Sequence, residues 1–216
     1  MESEADPARH WDDAYAQGAD TRSWFQQHPA MSLRMFAAAG VSASDSVLDV
    51  GGGASPLAGT LLHRGFADVT VLDISAAGIG QARERLGPEA ERVRWLTADI
   101  LTWQPGRRYG AWHDRAVFHF LTATRDQRRY LATLVSATAA DAAAVLGCFA
   151  PDGPQYCSGL PVARYSPDQL GRQLGGDWTL IASAREEHVT PAGAIQPFTW
   201  AAFRRLPRPQ RPAVTP

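Results

Sequence analysis

Three aspartates, each closing a short apolar run, carry the first chemical signal. Asp49 sits in "SVLDVGGG", Asp73 in "VTVLDIS" and Asp99 in "LTADI". Gly51 and Gly53 follow the first of them. Glycines at that spacing let the backbone turn sharply and approach a ligand, while the next helix presents free N–H groups. Asp73 lies twenty residues past Gly53, the separation at which a carboxylate takes both hydroxyls of an adenosine ribose. Asp99, ending a third run, is placed to meet an adenine amino group, with Ile74 and Ile100 on either side of the ring. The three acids describe an adenosine pocket; a tight turn with no ligand is the competing reading of the glycines alone.

The tail of that ligand follows from what the turn lacks. The dinucleotide fingerprint G-x-G-x-x-G cradles a pyrophosphate, and here Pro56 stands where its last glycine belongs. Asp49 beside the turn repels a pyrophosphate but suits an ammonium or a sulfonium region. All 21 basic residues are arginine, and neither lysine nor asparagine occurs. That excludes a P-loop, a Tyr-x-x-x-Lys hydride site and a Schiff base. An adenosine with a cationic tail and no phosphate is S-adenosylmethionine, whose demethylated product is S-adenosylhomocysteine.

Displacement at a sulfonium methyl asks for positioning, exclusion of water and, for some acceptors, a base. His113, Asp114, Arg115 and His119 end a fourth run, where strand alternation puts His113 and Arg115 on one face and Asp114 on the other. Asp114 is expected at the donor's ammonium or orienting a neighbour, and Arg115 on the acceptor side. His119 reads as a base or orienter, against packing among Val117, Phe118 and Phe120. The loop "YCSGLPVARY" adds Arg164 for an anion and Tyr165 to polarise the acceptor. Cys157 in that loop reads as an ordinary surface thiol, and His188 with Glu186 and Glu187 as a solvated edge. Trp11, Trp24, Phe25 and Trp112 are candidates for a cation–π wall or for core, with the ligand role preferred for Trp24 and Phe25.

These residues need a scaffold that brings strand ends together. Apolar runs at Ser46–Val50, Ala67–Leu72, Val93–Leu96, Ala111–Val117 and Ala143–Phe149 alternate with helical patterns at Pro56–Arg64, Ser75–Leu86 and Arg125–Ala139. That order predicts a parallel sheet covered on both faces. A helix over Ser166–Leu174 follows, then runs at Trp178–Val189 and Ala194–Arg204 joined by "TPAG", a hairpin that puts one antiparallel strand in the sheet. At 216 residues the chain reads as one domain, and its formal charge of -1 carries no basic footprint for nucleic acid. No apolar stretch suits a signal peptide or a membrane span, and Cys148 and Cys157 read as free thiols of a cytoplasmic protein. The end, "LPRPQRPAVTP", reads as a frayed Pro-rich tail, 206–216.

On these motifs the sequence resembles the class I S-adenosylmethionine-dependent methyltransferases over about residues 10 to 205, through "VLDVGGGAS", "VTVLDIS", "LTADI", "WHDRAVFHFL" and the terminal hairpin. "HWDDAYAQG" and "SWFQQHP" are similar to a small-methyltransferase group that includes the citrate synthase and elongation-factor lysine methyltransferases and, more loosely, thiopurine methyltransferase. The resemblance implies an α/β fold: a seven-stranded Rossmann-like sheet, order 3-2-1-4-5-7-6 with strand 7 antiparallel, and helices on both faces. It implies cofactor contacts at Gly51, Gly53, Asp73, Ile74, Asp99 and Ile100. It also implies a lid over the methionine end from Trp11, Tyr15, Ser23, Trp24 and Phe25. The chain would divide into a helical lid segment, 1–42, a methyltransferase domain, 43–205, and the tail.

Departures from the pattern narrow the acceptor. The lysine methyltransferases follow their fourth-strand acid with Lys-Gly, whereas this chain has Asp114-Arg115-Ala116, which points away from protein lysine. No Pro-Pro-aromatic turn follows the fourth strand to grip a base amine. A chain without asparagine departs from catechol-type magnesium sites, and two cysteines fall short of the arsenite-type set. The expectation is a metal-free transfer to a small-molecule nucleophile, thiol favoured over amine, with no nucleic-acid or membrane partner and an open oligomeric state. A protein lysine or histidine methyltransferase and a non-catalytic cofactor-binding interaction module are the alternatives.

Overall fold

The computed structural model describes residues 6–16 and 18–207; residues 1–5, Gln17 and positions 208–216 of the expected tail lie outside the described residues. The five apolar runs form β1 (Val47–Val50), β2 (Val69–Asp73), β3 (Val93–Thr97), β4 (Tyr109–Arg115) and β5 (Thr138–Phe149), paired in parallel. A separate hairpin pairs β6 (Tyr156–Cys157) with β7 (Leu160–Pro161). The chain then adds β8 (Trp178–Val189) and β9 (Ile195–Arg205), with β9 antiparallel to both β5 and β8. The main sheet runs β3-β2-β1-β4-β5-β9-β8. Since β8 and β9 are its sixth and seventh strands, this is the expected order with an antiparallel seventh strand.

Two-residue alternation sorts the strand side chains between two helical layers. Val47, Val69 and Val145 pack with Met35 and Phe36 of α2 (Ala30–Ala38) and Leu57 and Leu61 of α3 (Leu57–His63). Leu48, Trp112 and Leu146 pack on the other side with Tyr130 and Leu134 of α5 (Thr124–Ala137) and Leu170 of α6 (Pro167–Leu174). Each fully buried Leu or Phe in these layers contributes about 1.5–3 kcal/mol. Within the N-terminal stretch, α1 (Pro7–Ala16) lies on α4 (Ala76–Leu86), whereas α2 packs against β5, β8 and β9 as part of a core layer.

Local chemistry explains where elements start and stop. Pro56 opens α3, where a missing N–H is harmless, so the turn has no use for a third glycine. The expected fourth strand reaches Val117, but β4 stops at Arg115. Ala116 turns with φ 70°, and the Asp114 carboxylate accepts from the backbone N–H of Val117 at 2.8 Å and of Phe118 at 3.0 Å. The expected helix end at Ala139 moves back to Ala137, because Arg205 Nη1 donates to the carbonyls of Val135 and Thr138, both at 2.8 Å. The stretch read as a plain loop, Tyr156–Tyr165, holds the β6–β7 hairpin. Positive φ at Ser158 and Gly159 makes the two-residue turn that matches strand twist.

Candidate functional site

Strand order reverses between β1 and β4, and a cleft of about 310 Å³ opens there at the carboxyl edge of the sheet. Asp73, Ile74, Asp99 and Ile100 line one end, and Gly51, Tyr15, Trp24 and Arg115 the middle. Val117, Phe120, Leu121, Cys157 and Leu160 add to the lining, with Val117 against the glycine turn, where a Cβ on Gly51 would stand 2.0 Å from its Cγ2. Trp11 roofs the cleft, edge-on to Trp24 at 5.8 Å and to Phe120 at 4.9 Å between ring centroids.

The first end is held by neighbouring backbone. Asp73 Oδ1 accepts from the Ser75 N–H at 2.7 Å, and Asp99 Oδ1 from the Leu101 N–H at 2.8 Å. Burial pushes the Asp73 carboxyl up to about 6, against the pull of hydrogen bonds from the Ser75 and Gly53 backbone. Asp12, which sequence reasoning missed, ties α1 to this end. Its Oδ1 accepts from Ser75 Oγ at 2.6 Å and the Ala77 N–H at 3.0 Å, and the Ser75 bond leads in holding its pKa below the usual range. Tyr15 is thereby pressed onto the glycine turn: a Cβ on Gly53 would stand 2.0 Å from its hydroxyl oxygen. Burial raises the Tyr15 pKa, so the phenol stays neutral.

Tyr15, Trp24, Gly51 and Arg115 also border a smaller cavity of about 60 Å³, lined by Phe25, Ser32, Asp49 and His113 among others. Asp49 and His113 sit opposite each other in the β1–β4 register, with Asp49 Oδ1 and His113 Nδ1 2.7 Å apart. His113 Nε2 lies 2.9 Å from Ser32 Oγ of α2. Asp49 Oδ2 has no hydrogen-bond partner among the described residues. Arg115 Nη1 donates to the Trp24 carbonyl at 2.8 Å, with the guanidinium 4.9 Å over the Phe198 ring. Arg115 Nε and Nη2 also lack a partner among the described residues. Burial lowers the Arg115 pKa to about 10, which leaves it cationic at neutral pH. The two free nitrogens share the side-on edge of the guanidinium, the edge that grips a carboxylate with two parallel bonds. An orphaned carboxylate oxygen and an orphaned guanidinium edge at one cavity are complementary to an α-amino-acid zwitterion, the group that ends S-adenosylmethionine.

Four residues expected at the donor's ammonium or at the acceptor lie off the cleft. Asp114 is buried on the opposite face, where it accepts from Val117, Phe118 and the Tyr130 hydroxyl; burial pushes its carboxyl up to about 6. It therefore anchors the turn after β4 and reaches no ammonium in either cavity. Trp112 joins the same network, donating to Tyr130 Oη at 2.9 Å, and is core. His119 is sealed between the Phe120 and Phe149 rings, 4.5 and 4.8 Å away. Burial and then the Arg115 charge depress its pKa to about 3, so the imidazole is neutral at neutral pH, and it lines neither cavity. Tyr165 stacks on Phe118 and accepts from Gln127, with burial pushing its hydroxyl up to about 12. Arg164 donates to the Gly153 carbonyl at 3.1 Å.

Other placements reverse expectation in the opposite direction. Cys157 is a buried wall of the cleft, and burial raises its thiol pKa. The supposed solvated edge pins the segment before α2: His188 Nε2 lies 2.7 Å from the Ser23 carbonyl, and Glu186 accepts from Gln26 at 2.9 Å and Trp200 at 2.7 Å. Glu187 does stay on the surface, paired with Arg185. No local spacing signals Asp12, Ser32 or Leu160, because each meets its partners across distant parts of the chain.

Residues 47–141 match a family model described as a methyltransferase domain. A search of curated proteins finds no match. Among solved structures, one reported for the conversion of a disulfide bond into a thioacetal group during echinomycin biosynthesis is 23% identical with a TM-score of 0.71, covering 92% of this chain and 93% of that one. The 1,6-didemethyltoxoflavin-N1-methyltransferase of Burkholderia thailandensis, with its substrate and S-adenosylhomocysteine bound, is 19% identical at 0.66, over 92% and 87% of the chains. The N-methyltransferase NodS of Bradyrhizobium japonicum, in complex with S-adenosylhomocysteine, is 16% identical at 0.67, over 90% and 97%. Among the described residues no helix is long and apolar enough to cross a membrane. Residues 47–141 are thus similar to a methyltransferase domain, and the chain has the Rossmann-like fold of the S-adenosylmethionine-dependent methyltransferases.

Proposed function

We propose that the protein transfers the methyl group of S-adenosylmethionine to a small-molecule nucleophile, a thiol in preference to an amine. The observation that carries this reading is one cleft lined both by Asp73 and Asp99, at the ends of β2 and β3, and by the apolar side chains of Phe120, Leu121 and Leu160. S-adenosylmethionine, when bound, supplies an electrophilic methyl on a sulfonium. Asp73 takes the ribose hydroxyls and Asp99 the adenine edge, with Ile74 and Ile100 on the ring faces and Gly51 and Gly53 allowing close approach. Asp49 Oδ2 receives the ammonium and the free edge of Arg115 the carboxylate. Trp11, Tyr15, Trp24 and Phe25 cover the donor and keep water out.

The acceptor end supports the sulfur preference. Phe120, Leu121, Cys157 and Leu160 line the cleft, and beyond Asp73 and Asp99 it has no carboxylate and no histidine among its described lining residues. A nucleophile there must lose its proton with little help, which a thiol near 8.5 does more readily than an ammonium near 10.4. The cationic Arg115 favours a thiolate further and offers a protein lysine no partner. The neighbour tied to disulfide chemistry supports sulfur, while the toxoflavin enzyme and NodS keep nitrogen in view. Two free thiols, Cys148 and Cys157, suit a cytoplasmic setting. Calorimetry with S-adenosylhomocysteine and NADH, then a methylation screen with thiols, amines and lysate, tests the reading. Binding of the first ligand only, with thiol turnover, is expected. Turnover of amines and no thiol ends the sulfur preference, and absence of S-adenosylhomocysteine binding ends the whole reading.

A further inference from the structure

We infer that His113 and Ser32 are positioning residues that make the site selective for a donor carrying its amino-acid tail. The inference rests on the reading above, in which Asp49 meets the ammonium. Asp49, His113 and Ser32 are 2%, 3% and 1% exposed and form one chain: Asp49 Oδ1 to His113 Nδ1 at 2.7 Å, His113 Nε2 to Ser32 Oγ at 2.9 Å. A histidine bonded at both ring nitrogens cannot swing, and Phe36 and Trp200 flank this ring at 5.5 and 6.0 Å. Its grip on Oδ1 fixes the plane of the carboxylate. Oδ2 is then left against Gly52, where a Cβ would approach it to 2.7 Å, without a partner among the described residues, and both Asp49 and Gly52 line the smaller cavity.

That asymmetry separates a positioning device from an ordinary buried polar cluster. In a cluster that serves the fold alone, both carboxylate oxygens are satisfied, as those of Asp114 are by two backbone N–H groups and the Tyr130 hydroxyl. Here one oxygen is committed through His113 to α2, and the other is held out for an N–H donor that the protein does not supply. The chain also explains why the first layer places a serine at the inward face of α2, where Met35 and Phe36 are otherwise apolar. Its energetic effect falls on the donor's tail, because Asp73 and Asp99 hold the adenosine independently at the other end of the cleft.

The test is titration of the purified full chain with S-adenosylhomocysteine and with 5′-methylthioadenosine, which keeps the thioether nucleoside and lacks the amino acid. His113→Leu is expected to weaken the first ligand about tenfold and leave the second within about twofold. Ser32→Ala is expected to give about a threefold loss confined to the first ligand, and His113→Asn, whose amide N–H sits where Nδ1 does, to restore most of it. Thermal melts of each variant identify any that fail to fold, and Ser32→Ala, the smallest change, then carries the comparison. A parallel loss for both ligands, or no loss for S-adenosylhomocysteine in a folded variant, overturns the inference. Wild-type protein that binds neither ligand overturns the methyltransferase reading itself, a different result from a changed ratio.

Discussion

At the end of the cleft proposed to take adenosine, each carboxylate is fixed by backbone two residues further along the chain, Asp73 by Ser75 and Asp99 by Leu101. The rest of the cleft is walled from separate places in the chain: the turn after β4 and the β6–β7 hairpin, under the roof of Trp11. Short-range bonds orient the carboxylates of the first end, so its specificity is built largely into the strand ends. The second end is defined only by how distant pieces pack, which lets acceptor recognition vary on an unchanged donor site.

The sharpest way to break that contrast is Asp73→Ala. Removing the carboxylate is expected to weaken S-adenosylhomocysteine on the order of 100-fold in calorimetry, with the melting temperature kept. A loss of only a few fold would mean that the adenosine end is not the anchor. Asp114→Ala tests the opposite face. With two backbone donors and the Tyr130 hydroxyl left unpaired, stability is expected to fall by about 2 kcal/mol, a drop of roughly 4–8 °C. S-adenosylhomocysteine affinity of the folded protein should not move; its collapse without a thermal shift would return Asp114 to the donor site.

A smaller effect follows from pH. The Asp73 carboxyl titrates at about 6 because of burial, and only its ionised form accepts two ribose hydroxyls. Affinity for S-adenosylhomocysteine is therefore expected to fall about tenfold as pH drops from 7 to 5, a dependence that Asp73→Asn should flatten. In the free protein the sign reverses. Folding raises this pKa from 3.8 to about 6, so the stabilising contribution is full below pH 3.8 and lost as pH rises through about 6. The least effect belongs to the acceptor wall: Leu160→Ala should raise acceptor KM a few fold, about 1 kcal/mol of lost contact, and leave donor affinity unchanged. A matching loss of donor affinity would show that the two ends are not separable.

Legibility in the sequence follows the same division. The strand order, the hairpin and the acids at strand ends could all be read, because strands, glycine turns and capped helices are set by residues close together in sequence. Alternation was enough to separate Asp114 from His113 and Arg115. The fates of His119, Tyr165 and Arg164 were not legible. Ala116 leaves the strand at φ 70°, and the chain beyond it buries His119 between two phenylalanines. Tyr165 is drawn down onto Phe118, away from the cleft that the β6–β7 hairpin reaches through Cys157 and Leu160.

By itself the sequence determined the sheet, the glycine turn and the carboxylates Asp49, Asp73 and Asp99, since each depends on local geometry and a two-residue period. Only the tertiary structure decided which charged groups stay unsatisfied. Asp49 and Asp114 are both buried aspartates on adjacent strands, yet one keeps a free oxygen at a cavity and the other keeps none. The difference lies in partners that the sequence holds far away, Ser32 and His113 for the first and Tyr130 for the second. Burial makes any uncompensated charge costly, so its chemistry is set by whichever distant groups the fold brings within hydrogen-bond reach.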